Sequence, residues 1–421
     1  MKKDTKYPFV SFAFFSSMIL LLPLISYSCY LRSGTSADAE EEPIITEAPT
    51  PSTDTLSAIP AEAALAAAPS NAPDTLVPGE AQPRAIETFK PLDLTGANDE
   101  QLKKLSAYQN ALGGFVTNQL MVFVDMPQTS SGIKKSARYI AQTSDEFARH
   151  GVTPIFIFEP IDEKDRSLNL KKVAEGKYQK NLDQLFAEIQ KSGAVEKNLG
   201  IFVPYPEANT SAWDRSDSSP EEFPAIFNAF FDTAKKYYPH IRGSILLDTK
   251  TYPINDNDWE HGRVQSFAPY LTGINPEHVS SFGLQGFPWS DEHLQGKDFD
   301  AHNFLPTSIA TEAASILHTD TIWLNTGTFR EMYTIGNSPV SADERAQIFQ
   351  SILGQANALT SQGFKTWINI FAENKMAVDE KTDWSYLDAT QNKTLSPHES
   401  ALKKFIDDAR GSGVALSLFD L

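Results

Sequence analysis

The chain has 421 residues, 41% of them hydrophobic and 21% charged, which suits one large domain or two ordinary ones and is too apolar for disorder throughout. Its 36 Lys and Arg against 54 Asp and Glu give a net charge of -18, a field that repels phosphate backbones and excludes nucleic acid as a partner. The single cysteine, Cys29, excludes both an internal disulfide and a cysteine-built metal site, so stability has to come from packing.

Taken in chain order, Lys2, Lys3 and Lys6 precede an apolar run over 7–31 that includes Phe14 and Phe15. The run exceeds the roughly 7 to 15 residues of a cleaved signal core and reaches the roughly 20 needed to span a bilayer. With its positive flank inside, 1–32 reads as an uncleaved signal-anchor, which makes the membrane a partner and places the rest at the cell surface, outside the cytoplasm. Two alternatives stand beside this. Thr35-Ser36-Ala37 offers a small-residue cleavage site and hence secretion, and Cys29, in the poor context Ser26-Tyr27-Ser28, offers a lipid attachment point. Residues 33–88 are Ala, Pro, Thr, Ser and Glu with Arg84 as the one basic side chain, a composition that buries too little apolar surface to offset the entropy of ordering. They read as a disordered linker, leaving 89–421 as the folded domain.

Within that domain eight short apolar, β-branched and aromatic runs recur, at 120–125, 153–159, 199–205, 243–248, 281–287, 321–326, 366–371 and 414–419. Helix-like stretches at 131–150, 178–192, 220–238, 341–362 and 396–410 alternate with them, and Gly151, Gly193 and Gly363 follow three of these as stop signals. Eight strands in this order predict a (β/α)8 TIM-type barrel; an open doubly wound sheet would carry a glycine-rich phosphate turn after its first strand, and none is present.

The chemistry of such a barrel sits at the C-terminal mouth of its strands. Asp125, Glu159, Glu207, Asp248, Gln285, Asn325, Asn369 and Glu373 stand at or just beyond strand ends and are expected to converge there. Strand alternation places Glu207 on the face shared by Ile201, Val203 and Tyr205. The most informative stretch is Gly200 to Asn209, GIFVPYPEAN, followed by Trp213. A carboxyl at a strand end, flanked by an amide and an indole, supplies a proton donor or base, a hydrogen-bond partner and an apolar plate for a sugar face, as glycoside cleavage requires. Trp213 and Trp289 lie just past strand ends and are cleft candidates, whereas Trp323 and Trp367 lie inside strands and read as core. The scattered histidines show no metal-ligand spacing, the acidic run 255–258 lacks the Gly and distal Glu of a calcium hand, and no cofactor is called for.

These landmarks resemble the mannanase-type family 26 glycoside hydrolases and, more loosely, the related (β/α)8-barrel glycosidase superfamily. Over 170–260 they come in the family's order: Glu175-Gly176-Lys177-Tyr178, a helix through Leu182, Phe186 and Ile189, the strand with Glu207 and Asn209, then Trp213, Pro220-Glu221-Glu222-Phe223 and the strand from Ser244. The resemblance implies that Glu207 is the acid/base. It also has departures: Pro206 and Val203 stand where the family usually has His and Arg, and the Glu-to-Trp spacing is one residue longer, so substrate recognition differs.

Two alignments compete for the second carboxyl. If Glu207 lies on the family's fourth strand, 321–326 is the seventh, the nucleophile position carries Asn325, and the last strand closes the barrel in a permuted order. An amide cannot form a glycosyl ester, so the protein would then be a catalytically degenerate carbohydrate-binding surface protein. Counted from the first visible strand, Glu207 instead ends strand three and Glu373 ends strand seven, facing it as nucleophile. The expectation carried forward is a glycoside hydrolase acting on a β-linked polysaccharide or oligosaccharide, of the mannan or glucan class. Glu207 and Glu373 are its catalytic pair, and Asn209, Trp213, Tyr205, Trp289, Asn325, Asp125 and Glu159 are its substrate-binding candidates.

Overall fold

The protein is described by a computed structural model covering residues 92–112, 118–162, 168–210, 220–249, 264–288, 300–328, 340–372, 386 and 395–419, with backbone alone at 331–332, 382–383 and 418–419. The signal-anchor and linker lie outside the described residues. Eight parallel strands form a closed barrel: β1 Gln119–Asp125, β2 Thr153–Glu159, β3 Ile201–Pro204, β4 Gly243–Asp248, β5 Val279–Gln285, β6 Thr321–Thr326, β7 Lys365–Phe371 and β8 Ala415–Phe419. Each pairs with its sequence neighbours, and the ring closes where Leu120 of β1 registers with Leu418 of β8. All eight predicted strands are present, with boundaries shifted by two residues or fewer. Counted from the N-terminus, Glu207 follows β3, Asn325 sits on β6, and the strand leading to Glu373 is β7, while β8 closes the ring beside β1.

Among the described residues seven longer helices surround the strands: α1 Glu100–Ala111, α2 Ser130–Arg149, α3 Gln179–Lys191, α4 Phe223–Ala234, α5 Thr307–Ile316, α6 Ala342–Ser361 and α7 Pro397–Gly411. Their starts are written locally. Ser341 and Ser396 each accept from the backbone N–H three residues on while Glu344 and Glu399 reach back, closing capping boxes on α6 and α7. At the far end of α2, α3 and α6 the chain passes through Gly151, Gly193 and Gly363 at φ 74°, 87° and 94°, a left-handed turn that other residues adopt at a cost. The sequence reading marked neither α1 nor α5. In α1 the signals were Asp99, whose carboxylate caps the first N–H groups, and the spacing of Leu102, Leu105 and Tyr108, which face the core.

Alternation along the strands divides the protein into two cores. Outward positions such as Phe156, Phe158, Phe202, Ile245, Leu247, Phe282 and Leu284 pack under the helices, where Phe186, Phe230 and Phe231 join them edge to face. Inward positions Met121, Ile155, Ile157, Val203, Leu246, Trp323 and Trp367 fill the barrel itself. Trp323 and Trp367 stack with centroids 5.7 Å apart, as the core reading expected, and the indole N–H of Trp323 donates to Ser244 at 2.7 Å. Room for that indole comes from the neighbouring strand, because a Cβ on Gly283 would stand 2.4 Å from Trp323 Cε2.

Candidate active site

Beyond Pro204 the chain leaves regular strand geometry but stays between its neighbours. Tyr205 N–H donates to Phe158 C=O on β2 at 3.0 Å, and Glu207 N–H donates to Leu246 C=O on β4 at 2.8 Å. Between these anchors Tyr205 and Glu207 hold φ values of 54° and 52°, a left-handed backbone costing on the order of 1–3 kcal/mol per non-glycine residue and found where surrounding contacts over-determine it. The double turn breaks the expected alternation. Tyr205, placed by sequence on the inward face with Ile201 and Val203, is enclosed in the outer core at 0% exposure, its ring edge-on to Phe230 with centroids 6.3 Å apart. Its hydroxyl has no partner among the described residues, and burial pushes its pKa well above the ordinary value. It presents no surface to a ligand.

Glu207 takes the inward place that Tyr205 gives up. Gln285, at the end of β5, donates from Nε2 to Glu207 Oε1 at 2.6 Å and to Asp248 Oδ2, at the end of β4, at 2.9 Å. One amide nitrogen therefore holds an oxygen from each of two carboxylates. Asn209 fixes the second one in place: its Nδ2 donates to Asp248 C=O at 2.6 Å and its Oδ1 accepts from Asp248 N–H at 2.9 Å, a side chain completing a sheet-like pair of bonds. With both amide atoms spent on backbone at 3% exposure, Asn209 supports the site from behind.

The polar chain continues round the barrel. Asn325 Nδ2 donates to Gln285 Oε1 at 2.7 Å, and Asn369 Nδ2 donates to Asn325 Oδ1 at 2.7 Å. Asn369 Nδ2 also reaches Met121 Sδ, while Ser417 Oγ donates to Asn369 Oδ1. Strands β4 to β8 each contribute one link, and all the linking side chains are buried. Asn325 is 1% exposed with both ends of its amide engaged, so it lies beneath the rim within this chain.

Of the eight strand-end residues expected to converge, Glu207, Asp248, Gln285, Asn325 and Asn369 form one connected group. Asp125 and Glu159 lie in register at the ends of β1 and β2, half-buried, and share the inward parity of Met121 and Ile155. Glu373, Trp213 and Trp289 lie outside the described residues, as does the acidic run at 255–258. Ala372, which precedes Glu373 at the end of β7, accepts from the Tyr108 hydroxyl of α1 at 3.4 Å. Asp248, Gln285 and Asn369 appeared in sequence only as strand ends, and their partnership needed the register of neighbouring strands. Phe287 and Phe371, edge to face at 6.1 Å, also line the inward face near the mouth. Their signal was parity, two residues beyond Gln285 and Asn369.

Among the described residues no group of three or more His, Cys, Asp or Glu is arranged to hold a metal ion. The arrangement can hold charge and protons: two carboxylates at the open end of a barrel, one half-buried and one buried, beside fixed amide donors and aromatic surface.

No family model matches the chain, and no curated protein does. Solved structures do. A fungal β-1,4-galactanase is 13% identical over 70% of this chain and 89% of its own, with a TM-score of 0.45. The family 1 β-glucosidase of Thermotoga maritima is 9% identical over 75% of this chain and 87% of its own, at 0.48. A family 39 glycoside hydrolase of Bacteroides cellulosilyticus is 10% identical over 76% of this chain and 64% of its own, at 0.45.

Proposed function

We propose that this chain is a glycoside hydrolase that cleaves a β-linked polysaccharide of the mannan or glucan class, with Glu207 as general acid/base and Glu373 as nucleophile. The single observation that carries the reading is the placement of Glu207. A carboxyl on a strained turn just past β3 is directed into the mouth and held on the same amide as Asp248. Strain kept by two backbone anchors is a feature of functional positions rather than of ordinary loops.

In the first step the Glu373 carboxylate attacks the anomeric carbon while the glycosidic C–O bond breaks and Glu207 gives its proton to the departing oxygen. In the second, Glu207 takes a proton from water, the water oxygen displaces Glu373 from the anomeric carbon, and both side chains return to their starting forms. Two carboxylates that share one site disfavour joint ionisation, so Asp248 beside Glu207 helps to keep a proton there for the first step. The N-terminal segment would carry the barrel outside the cytoplasm, where polymeric glycans are met.

Turnover on mannan and glucan panels tests the reading. Glu207→Gln is expected to lower kcat by about 10²- to 10⁴-fold, the usual contribution of a positioned acid/base. Unchanged turnover removes Glu207 from the mechanism, and binding of the same glycans without any turnover by the parent chain would instead favour a carbohydrate-binding surface protein.

A further inference from the structure

The amide chain in the barrel has a direction. Every described link runs the same way, from Ser417 to Asn369, Asn325 and Gln285, and ends on two carboxylate oxygens. Reversing any amide would set oxygen against oxygen at the next link, so the orientation of one residue fixes the next. At the β1 side Asn369 Nδ2 also reaches Met121 Sδ, a weak acceptor with no proton to give, which favours the same orientation. That choice sets Asn325, then Gln285, and finally which atom of Gln285 faces the carboxylates. Gln285 Nε2 has two protons and spends one on Glu207 Oε1 and the other on Asp248 Oδ2.

We infer that Gln285, oriented through Asn325, Asn369 and Met121, is a positioning residue that keeps Glu207 Oε1 and Asp248 Oδ2 as acceptors and so assigns the proton Glu207 transfers to Oε2. The inference rests on the hydrolase reading for the use of that proton; the geometry of the relay does not depend on it. Among the described residues the other carboxyls on the inward mouth face are Asp125 from β1, Glu159 from β2 and Asp248 from β4, and the relay bonds one of these, Asp248, together with Glu207.

The test is a carboxyl titration of the full chain labelled with ¹³C at Asp and Glu side-chain carboxyls, with Glu207 and Asp248 assigned through Glu207→Gln and Asp248→Asn. Loss of a donor to a carboxylate raises its titration midpoint. Gln285→Met is therefore expected to move both midpoints up by about one pH unit, tenfold in proton affinity. Asn325→Ser touches neither carboxylate, yet it is expected to move both in the same direction, with the acid limb of the kcat profile following. Should Asn325→Ser fail to fold, Met121→Leu conserves volume and removes only the sulfur acceptor, and a smaller upward shift of both midpoints is expected from it. A shift with Gln285→Met and none with the remote variant overturns the relay, as does no shift with either. The titration uses no substrate, so shifted midpoints in a chain that turns over no glycan would refute the hydrolase reading and leave the relay standing.

Discussion

Along β6 and β7 the inward positions run Trp323 then Asn325, and Trp367 then Asn369, so a rise of roughly 7 Å separates an indole stack from an amide chain. The lower layer is apolar, with Ile155, Ile157, Val203 and Leu246 beside the two indoles. The upper layer is carboxylate and amide, and almost every described group in it is hydrogen-bonded. The same strands at the same parity therefore build a plug and then a site, and the difference lies in what each layer does with polarity. Below, Trp323 makes one hydrogen bond to Ser244 and the Trp367 Nε1 has no partner among the described residues; above, the bonds form a connected path ending on Glu207 and Asp248.

The division can be broken layer by layer. Trp323→Ala removes a fully enclosed side chain from the plug and should cost about 3–5 kcal/mol in denaturant unfolding, the largest stability effect expected here. An effect under 1 kcal/mol would mean that the lower layer is not a packed core. Asn209→Ala acts on the upper layer and leaves the buried N–H and C=O of Asp248 without their partner, for about 1–3 kcal/mol. It should also reduce kcat, whereas Trp323→Ala at a temperature where it remains folded should alter activity less.

A third comparison uses the closed end of the barrel, where His278 precedes β5 at 2% exposure with Asp232 Oδ1 3.2 Å from Nε2. Burial lowers its proton affinity below the ordinary value of 6.5, Lys235 adds to this, and Asp232 and Glu277 oppose it. The folded state thus binds its proton less readily than the unfolded one. The stabilisation from the neutral ring is present above about pH 6.5 and lost as pH falls below it. Thermal unfolding between pH 5 and 8 should show an acid limb that flattens in His278→Gln; an identical limb in the variant would place the sensitivity elsewhere. The smallest effect is expected from Tyr205→Phe. Its hydroxyl is buried with no partner among the described residues, so the variant should be neutral or stabilised by up to about 1 kcal/mol with unchanged kcat. A fall in kcat would restore Tyr205 to the mouth, where the sequence had placed it.

What sequence could show follows from how far each signal reaches. Eight hydrophobic runs and their helix caps are local, and they led to the barrel, its strand order and the inward position of the strand-end residues. The side-chain parity at Tyr205 and Glu207 was not local. Two left-handed residues around Pro206 exchange inward for outward, and the reason lies in bonds to β2 and β4 that are remote in sequence. Asn209 was legible as an amide beside the key carboxyl but not as the clamp on Asp248. The partnership of Asp248, Gln285, Asn325 and Asn369 likewise depends on strand register, which periodicity does not contain. The family landmarks, matched by order, left Glu207 open between a third and a fourth strand; counted from the N-terminus it follows the third, and the last strand closes the ring beside the first.

The most direct measurement is the kcat of Glu207→Ala on aryl β-glycosides whose leaving groups span a wide range of acidity. If Glu207 supplies the proton to the departing oxygen, the loss should be severe for poor leaving groups and shrink toward parity for those that depart unaided. An equal loss across the whole series would contradict that role and with it the proposed chemistry of the mouth.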